Sequence, residues 1–441
     1  MLTINKAKHK KILNIALPSA FNSLLDMLQV ITDLIMVGTI SAFAVAAVGV
    51  GLQSLMLIFA VLTLFQVGTN ALLSRLYGAK KMSQASLALS TIWQFAFGLS
   101  MVVLPLWYFG ASWLFVWFGV APEVMVLGSS YVTILTLMMP FIFMKLVFIT
   151  ALNATGDTKT PLYVKLVSIV LNVGLNYLLI FGNLGFPKLG VEGAAIATVV
   201  VNMLELTVYF VLYWRGKMPF QPMVRFSKSF FRRFIKVGLP ASFERTLTMG
   251  SFTFFTATIA SYGTASLAGY QIGLRVEGLA FMPGIGFTIA AMALMGQGLG
   301  AKKPEQSRED VLLVMKYAIG IMFFLSFFMI FTPAWLLSFF TNDAETIKEG
   351  SLYLKIVGLS QIPLAISFVL SGALRGAGDS KRTLKISLTS LWLVRIIPAI
   401  VLTWYFENII WVYIAMISDT FVKAFFMWRA FDKGEWKRIK V

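Results

Sequence analysis

A row of polar residues lies along one side of an otherwise apolar segment near the start of the chain. Asn22, Asp26, Gln29 and Asp33 follow the spacing i, i+4, i+7, i+11, which places their side chains on one face of an α-helix. If this segment spans a membrane, an ionisable residue in it is costly and by default marks an ion or substrate pathway. Asp33 is the deeper of the two carboxylates, so it is the first candidate for binding a cation or a proton.

Two later apolar segments carry side chains that would complete such a site. Asn172 and Asn176 are one helical turn apart, and Thr198 follows in a segment rich in small residues. Together with Asp33 they offer only oxygen ligands, which hard cations such as Na⁺ prefer. Alternatively, Asp33 binds a proton, because burial favours the neutral form of a carboxyl group. Isolated membrane asparagines often only pack helices, so this interpretation depends on the four residues occurring together.

The composition indicates which elements must position these residues. Hydrophobic residues make up 58% of the chain and charged residues 13%, whereas soluble domains carry roughly 25% charged residues. A membrane-spanning helix needs about 20 predominantly apolar residues. The sequence predicts twelve such helices, near 12–37, 46–76, 82–108, 123–153, 160–182, 191–215, 231–261, 268–299, 308–336, 343–374, 382–405 and 409–430.

The distribution of charge predicts the orientation in the membrane. The net charge is +18, and the basic residues cluster at both ends and at every second connection. This pattern places both termini in the cytoplasm of a multi-pass cell-membrane protein, and it argues against a nucleic-acid binder. The chain has no cysteine, which excludes disulfides and thiolate metal sites. Its single histidine, His9, is expected to be exposed to solvent.

The chain contains an internal repeat at a shift of 222 residues, which predicts two homologous halves of six helices each. Because six is even, the halves are parallel repeats related by a pseudo-twofold axis along the membrane normal. We expect lobes at 1–214 and 231–441, joined by a basic linker at 215–230. The repeated pairs are LPSAF at 17–21 and LPASF at 239–243, GAKKMSQ from Gly78 and GAKKPEQ from Gly300, and ALNATGDTKT at 151–160 and ALRGAGDSKR at 373–382.

The last of these pairs is a connector with a structural interpretation. Gly156 and Gly378 permit a tight turn. Asp157 and Asp379 are expected to cap the helices that follow.

The repeat does not preserve the candidate cation site. The shift of 222 places Phe255 at the position of Asp33, and Val394 and Pro398 at the positions of the two asparagines. A purely structural network would be expected in both halves, whereas an ion site is needed only once. We therefore assign the candidate site to the first half.

Other polar residues are candidates for substrate binding or for a second coupling site. For Glu244, Glu277 and Asp419 of the second half, the alternative is a buried ion pair with Arg275, Arg395 or Lys423. The candidates are Asn22, Asp26, Gln29, Glu244, Glu277 and Gln361.

Several motifs in order resemble the multidrug and toxic compound extrusion (MATE) transporters. They are LPSAFNSLLDMLQVITDLIMVG, GTNALLSRLYGAKK, ALNATGDTKTPLY, FMPGIGFTIAAMALMGQGLGAKKPEQ and GALRGAGDSKRT, within a similarity that runs from about residue 10 to residue 430. The resemblance implies twelve helices in two six-helix lobes and export of amphipathic, often cationic compounds driven by Na⁺ or H⁺ entry. It also implies a bend of the first helix at Pro18. The family's cation site falls on Asp33, Asn172, Asn176 and Thr198.

Two positions depart from patterns within that family. Asn176 stands where the DinF-like branch has an aspartate, which places the chain nearer to the NorM-like and eukaryotic branch and leaves one carboxylate in the site. Gln361 stands where NorM-like members carry an acidic residue, so a coupling site in the second half is weakly supported.

The resemblance, together with the two-lobe repeat and the polar residues of the first half, predicts a secondary active multidrug antiporter that works by alternating access. We expect a functional monomer in a lipid membrane, with Na⁺ or H⁺ as coupling ion and no cofactor. The alternative is a flippase of a lipid-linked precursor. That function would call for an arginine-rich cavity, and only Arg275 and Arg395 lie well inside helices of the second half. An enzyme would need a catalytic constellation, which the sequence does not show.

Overall fold

The computed structural model describes residues 2–117, 119–406 and 408–439. The first half contains α1 (Leu2–Gly38), α2 (Ala42–Gly78), α3 (Met82–Trp117), α4 (Pro122–Thr136), α5 (Met139–Thr155), α6 (Lys159–Phe181) and α7 (Val191–Trp214). The second half contains α8 (Lys228–Ala260), α9 (Thr264–Gly300), α10 (Pro304–Phe331), α11 (Pro333–Ser338), α12 (Ala344–Gly358), α13 (Gln361–Gly376), α14 (Ser380–Ser390), α15 (Ile397–Tyr405) and α16 (Ile410–Asp432). A π-helical segment, Leu391–Ile396, joins α14 to α15.

The helices are long and apolar enough for a multi-pass membrane protein. Within the described residues nine qualify as membrane spans, or up to eleven if each of two bent pairs counts as one span. The predicted window 231–261 coincides with α8, which is not in that count; Glu244, Arg245 and several Ser and Thr residues interrupt its apolar sequence. The predicted all-α polytopic membrane fold is confirmed, and the helix order agrees with twelve spans in two sets of six.

The two bent pairs occupy corresponding places in the two halves. The axes of α4 and α5 meet at 50°, and those of α12 and α13 at 53°. In each pair a proline, Pro140 or Pro363, lies in the first turn of the second helix. Proline has no backbone N–H to donate to the preceding turn, so the chain changes direction there and does not continue as one helix.

The backbone confirms the repeat in detail. Lys80 and Lys302, which match at the shift of 222, both have a positive φ, of 57° and 60°. Gly156 and Gly378 also match, with φ of 90° and 89°, so the predicted tight turn is present in both connectors. Left-handed backbone is uncommon for a lysine, and its recurrence shows that the two halves share local geometry as well as sequence.

The two connectors differ in the role of their aspartate. Asp157 accepts hydrogen bonds from the Thr160 backbone N–H at 3.0 Å and from its hydroxyl at 2.7 Å, as a helix cap should. Asp379 makes no such bond and pairs instead with Arg382 Nε at 3.1 Å. The predicted side-chain cap is therefore wrong for Asp379, because an arginine stands where the first connector has Thr160 and attracts the carboxylate.

The chain forms two compact units, which divide α1 and α8. The N-terminal unit comprises Leu25–Gly238, and the C-terminal unit comprises Met1–Leu24 with Leu239–Val441. Within the N-terminal unit Phe234 packs against Phe65, with ring centroids 5.6 Å apart. The lobes expected at 1–214 and 231–441 stay a prediction.

The start of α1 is held within the C-terminal unit. Ile12, Ile15 and Ala16 are buried in a core that includes Phe287. His9 is half-buried and forms a hydrogen bond with the Tyr317 hydroxyl. Its expected exposure to solvent is therefore wrong, because α10 supplies a polar partner that the local sequence does not reveal.

Candidate cation and substrate site

Three of the predicted cation-site residues meet between α1 and α6. Asn176 Nδ2 donates a hydrogen bond to Asp33 Oδ1 at 2.6 Å and a longer one to Asn172 Oδ1 at 3.4 Å. Both asparagines are fully buried, whereas Asp33 is partly exposed. The spacing i, i+4 on α6 therefore brings two amide groups to the carboxylate of α1.

The two amide groups leave polar atoms without partners. Within the described part of the chain, Asn176 Oδ1 and Asn172 Nδ2 are buried and have no hydrogen-bond partner. Reversing the Asn176 amide would turn its oxygen towards two other oxygens, so the donor assignment follows from the neighbours. A buried unpaired oxygen costs roughly 1–3 kcal/mol. The donor set of a carboxylate and an unsatisfied amide oxygen fits a small hard cation.

Thr198 is not hydrogen-bonded to this group. Its hydroxyl donates to the Ala194 carbonyl one turn earlier in α7, at 3.0 Å. Threonine in a helix commonly makes this bond, which uses its single proton and leaves its oxygen lone pairs available. The structure therefore joins Asp33, Asn172 and Asn176 by hydrogen bonds and places Thr198 on a separate helix, α7.

Lys165 is a member of this polar interior that sequence analysis missed. Its ammonium group lies 2.6 Å from Asp26 Oδ1 and 2.7 Å from Gln29 Oε1, and its side chain is only 12% exposed. Its charge also interacts with that of Asp33. The signal was available, because residues 165, 172 and 176 follow the spacing i, i+7, i+11 and so share one face of α6.

A second buried ion pair was also missed, between Lys145 of α5 and Glu205 of α7. The side chain of Glu205 is 5% exposed, and its charge interacts with Lys165 as well. Among the described residues, this connected group of the N-terminal unit holds three carboxylates, those of Asp26, Asp33 and Glu205, and two ammonium groups, and the Asp26 side chain is 58% exposed. Asp26 and Glu205 each form an ion pair, whereas Asp33 forms none.

In the C-terminal unit the negative charge of Glu244 is balanced by an arginine. It pairs with Arg375 Nη2 at 2.9 Å and accepts hydrogen bonds from the hydroxyls of Ser387 at 2.6 Å and Thr383 at 3.3 Å. Arg375 was not among the expected partners, because it lies in the repeated connector motif.

The other candidates of the C-terminal unit also have local partners. Asp419 is fully buried and lies 3.1 Å from Arg395 Nε and 3.2 Å from Lys423 Nζ, so the ion-pair interpretation is confirmed for it. Glu277 accepts a hydrogen bond from the Tyr353 hydroxyl at 2.5 Å, and its charge interacts with Arg395.

The remaining candidates lie apart from these groups. Gln361 is fully buried at the start of α13, where its amide donates to the Val357 carbonyl at 3.4 Å. Asn22 is half-buried in the part of α1 that belongs to the C-terminal unit.

The helix α1 is continuous through Pro18, so the proline lies inside the helix and does not end it.

The family model described as MatE matches residues 18–178 and 240–401, one match in each half. The chain belongs to the MatE family. This is a family of transporters, so the expectation that the protein is not an enzyme is confirmed. The two matches also agree with the repeat, since each covers the first five predicted helices of one half.

Curated relatives and solved structures agree with membership of MatE. The chain is 29% identical to the probable multidrug resistance protein NorM of Thermotoga maritima, over 97% of this chain and 93% of the relative. It is 28% identical to the probable multidrug resistance protein YoeA of Bacillus subtilis, over 77% and 74%.

Among solved structures, the Vibrio cholerae MATE transporter VcmN has a TM-score of 0.91 at 21% identity, with 98% of each chain covered. A MOP superfamily transporter from Pyrococcus furiosus has a TM-score of 0.90 at 21% identity, covering 98% of this chain and 97% of that one.

For this MatE protein, neither the family model nor the relatives named above supports the flippase alternative. Placement nearer to the NorM-like and eukaryotic branch stays a prediction.

Proposed function

We propose that the protein exports amphipathic, often cationic organic compounds from the cell in exchange for Na⁺ or H⁺. Its two halves expose the pathway alternately to the two sides of the cell membrane, and both termini lie in the cytoplasm. Membership of the MatE family and the relatives named as multidrug resistance proteins support this function. One chain is the proposed functional unit, because it contains both halves of the repeat.

The observation that carries this proposal is the contact of Asp33 with Asn176, because Asp33 forms no ion pair among the described residues. Lys165 and Lys145 balance the other two carboxylates of the connected group. A single Na⁺ or H⁺ would neutralise the remaining carboxylate, that of Asp33. One carboxylate without an ion pair therefore supports the binding of one monovalent cation at a time.

The proposed roles of the four site residues follow from their atoms. Asp33 supplies the charge, and Asn172, Asn176 and Thr198 supply neutral oxygens if the coupling ion is Na⁺. The unpaired Asn176 Oδ1 gives the site an oxygen that no protein donor satisfies. If the coupling ion is H⁺, only Asp33 changes its protonation, and the amides hold its position.

Exchange requires that the cation and the substrate favour different conformations. A ligand shifts a conformational equilibrium only by its difference in affinity for the two states. Coupling between two ligands is reciprocal, so the cation must weaken substrate binding by the factor by which the substrate weakens cation binding. A cationic substrate meets this condition most simply if its charge and the coupling ion compete for the negative charge of Asp33.

The test is efflux of a cationic dye from vesicles that contain the purified protein. One experiment applies a Na⁺ gradient at constant pH, and the other applies a pH gradient without Na⁺. We expect one of the two gradients to drive efflux, and that gradient identifies the coupling ion. If neither gradient changes dye efflux relative to protein-free vesicles, the proposed exchange is wrong.

A further inference from the structure

The segment that follows α7 is fixed to the ends of two helices by its backbone. The Gln221 N–H donates to Ser86 Oγ at 2.9 Å, and the Arg225 N–H donates to Ser90 Oγ at 3.1 Å. Ser90 Oγ donates in turn to the Arg225 carbonyl at 2.9 Å. The Tyr213 hydroxyl donates to the Gln221 carbonyl at 3.0 Å. The side chains of α3 and α7 thus hold this segment in a defined extended path.

Attachment by serine hydroxyls to the backbone is particular to the first half. At the shift of 222, the positions of Ser86 and Ser90 are occupied by Arg308 and Leu312, which cannot bind a backbone in the same way. In the second half, ion pairs hold the end of α16 and the chain after it to the start of α10. Arg308 pairs with Asp432 at 2.8 Å, and Lys437 pairs with Glu305 at 2.6 Å. The first half therefore holds its segment by neutral hydroxyl groups, which leaves the basic side chains of the segment without partners from α3.

Beneath the attached segment lies an apolar cleft of about 150 Å³. Apolar cavities of roughly this size accept a benzene-sized apolar ligand. The mouth is open, because the side chains of Phe210, Trp214 and Val224 are exposed. The lining includes Trp93, Phe148, Phe210, Trp214, Met223 and Val224.

The surroundings of the cleft are strongly basic. Arg215, Lys217 and Arg225 are exposed beside residues that line it, and the sequence contains no acidic residue from 206 to 243. Within the described residues none of the three basic side chains forms an ion pair. The cleft thus joins an apolar slot to uncompensated positive charge.

We infer that this cleft binds an anionic phospholipid, with part of one acyl chain between α3 and α7 and the headgroup on Arg215 and Arg225. Basic pockets at the cytoplasmic face of membrane helices bind acidic headgroups, and each Lys or Arg near the surface contributes about 1 kcal/mol. A cationic drug fits this site poorly, because the flanking charges repel it. The inference uses the proposed orientation of the membrane but not the coupling site.

Lipid binding would also strengthen the attachment of the segment, because Met223 and Val224 belong to both the cleft wall and the segment. An occupied cleft should therefore raise the thermal unfolding midpoint of the protein.

The test is a lipid titration of the full-length protein in detergent, with native mass spectrometry to count bound lipids and a thermal unfolding scan. The probes are phosphatidylglycerol and phosphatidylcholine with identical acyl chains. The double variant Arg215→Gln/Arg225→Gln removes two charges beside the cleft and keeps the backbone bonds of Arg225. The matched control, Lys228→Gln/Arg232→Gln, removes two exposed charges from α8 in the same basic region.

We expect phosphatidylglycerol to bind more tightly than phosphatidylcholine and to raise the unfolding midpoint. Arg215→Gln/Arg225→Gln should weaken phosphatidylglycerol binding roughly tenfold or more, while the control binds like the wild type. Val224→Trp, which fills the mouth of the cleft, should displace the lipid without changing any charge. Equal binding of the two lipids, or equal losses in both double variants, would overturn the inference.

Discussion

The first and fifth helices of each half meet at a polar contact, and the two contacts differ in charge. In the N-terminal unit Lys165 of α6 binds Asp26 of α1 at 2.6 Å, and Asp33 remains without an ammonium group of its own. In the C-terminal unit Glu244 of α8 is matched by Arg375 and by the hydroxyl of Ser387. Ser387 occupies the position that corresponds to Lys165.

This comparison separates the shared scaffold from the functional site. The connectors, their left-handed turns and the bent helix pairs occur in both halves. A carboxylate at the position of Asp33 occurs in one half only, because Phe255 stands at the corresponding position of the other half and is buried. Repetition therefore marks what the fold requires, and its failure marks the proposed coupling site.

The largest expected effect is on folding, through the buried pair of Lys145 and Glu205. Lys145→Met should lower the free energy of unfolding by about 3–5 kcal/mol, because it leaves a buried carboxylate uncompensated. The corresponding residues of the second half are Ser367 and Met427, so the scaffold tolerates a neutral pair. Thermal unfolding of Lys145→Met and of Lys145→Met/Glu205→Leu measures the difference.

The double variant should recover most of the lost stability, because it removes the unpaired charge with its partner. If the double variant is as unstable as Lys145→Met, the loss comes from packing, and the pair does not act through charge.

A smaller effect is expected where a glycine of α2 or α9 contacts a tyrosine. A Cβ at Gly273 would lie 2.4 Å from the Tyr353 ring, and one at Gly51 would lie 3.0 Å from the Tyr131 ring. Overpacking costs about 1–3 kcal/mol. Gly273→Ala should therefore destabilise the protein more than Gly51→Ala, since Tyr353 is also held by Glu277. Unfolding midpoints of the two variants test this order, which an equal or reversed loss would contradict.

The third effect is on cation affinity and follows from the position of Lys165. Lys165→Met removes a positive charge that interacts with Asp33, so the driving cation should bind more tightly, by about 1.4 kcal/mol or roughly tenfold. Lys165→Arg keeps the charge and serves as the control. The measurement is the cation concentration that gives half-maximal dye efflux. If Lys165→Met needs a higher cation concentration for half-maximal efflux than Lys165→Arg, Lys165 supports the site and does not compete with the cation.

Helical spacing was sufficient to predict that the polar residues of α1 share one face, and that Asn172 and Asn176 share a face of α6. It could not show that one amide would bridge Asp33 and Asn172, because that depends on side-chain rotamers across two helices. Thr198 was predicted to belong to the site because it carries a hydroxyl group. A threonine in a helix can instead donate to the backbone carbonyl one turn earlier, as Thr198 does to Ala194.

The partners of the carboxylates were harder to predict. The helical spacing of Lys165 was sufficient to predict that it shares a face of α6 with the asparagines. Arg375 could not be predicted as the partner of Glu244, because it lies in a repeated connector motif. The fold itself was predictable because the apolar segments and the repeat are global features. Single contacts depend on how neighbouring helices are placed, which one sequence does not specify.

The most direct test of the central claim is the variant Asp33→Asn in cation-driven dye efflux. The control is Glu192→Gln, which neutralises an exposed carboxylate at the start of α7. We predict that Asp33→Asn reduces driven efflux to the level of protein-free vesicles, with an unfolding midpoint close to that of the wild type, and that Glu192→Gln keeps wild-type efflux. Undiminished efflux by folded Asp33→Asn protein would contradict the assignment of the coupling site to the N-terminal unit.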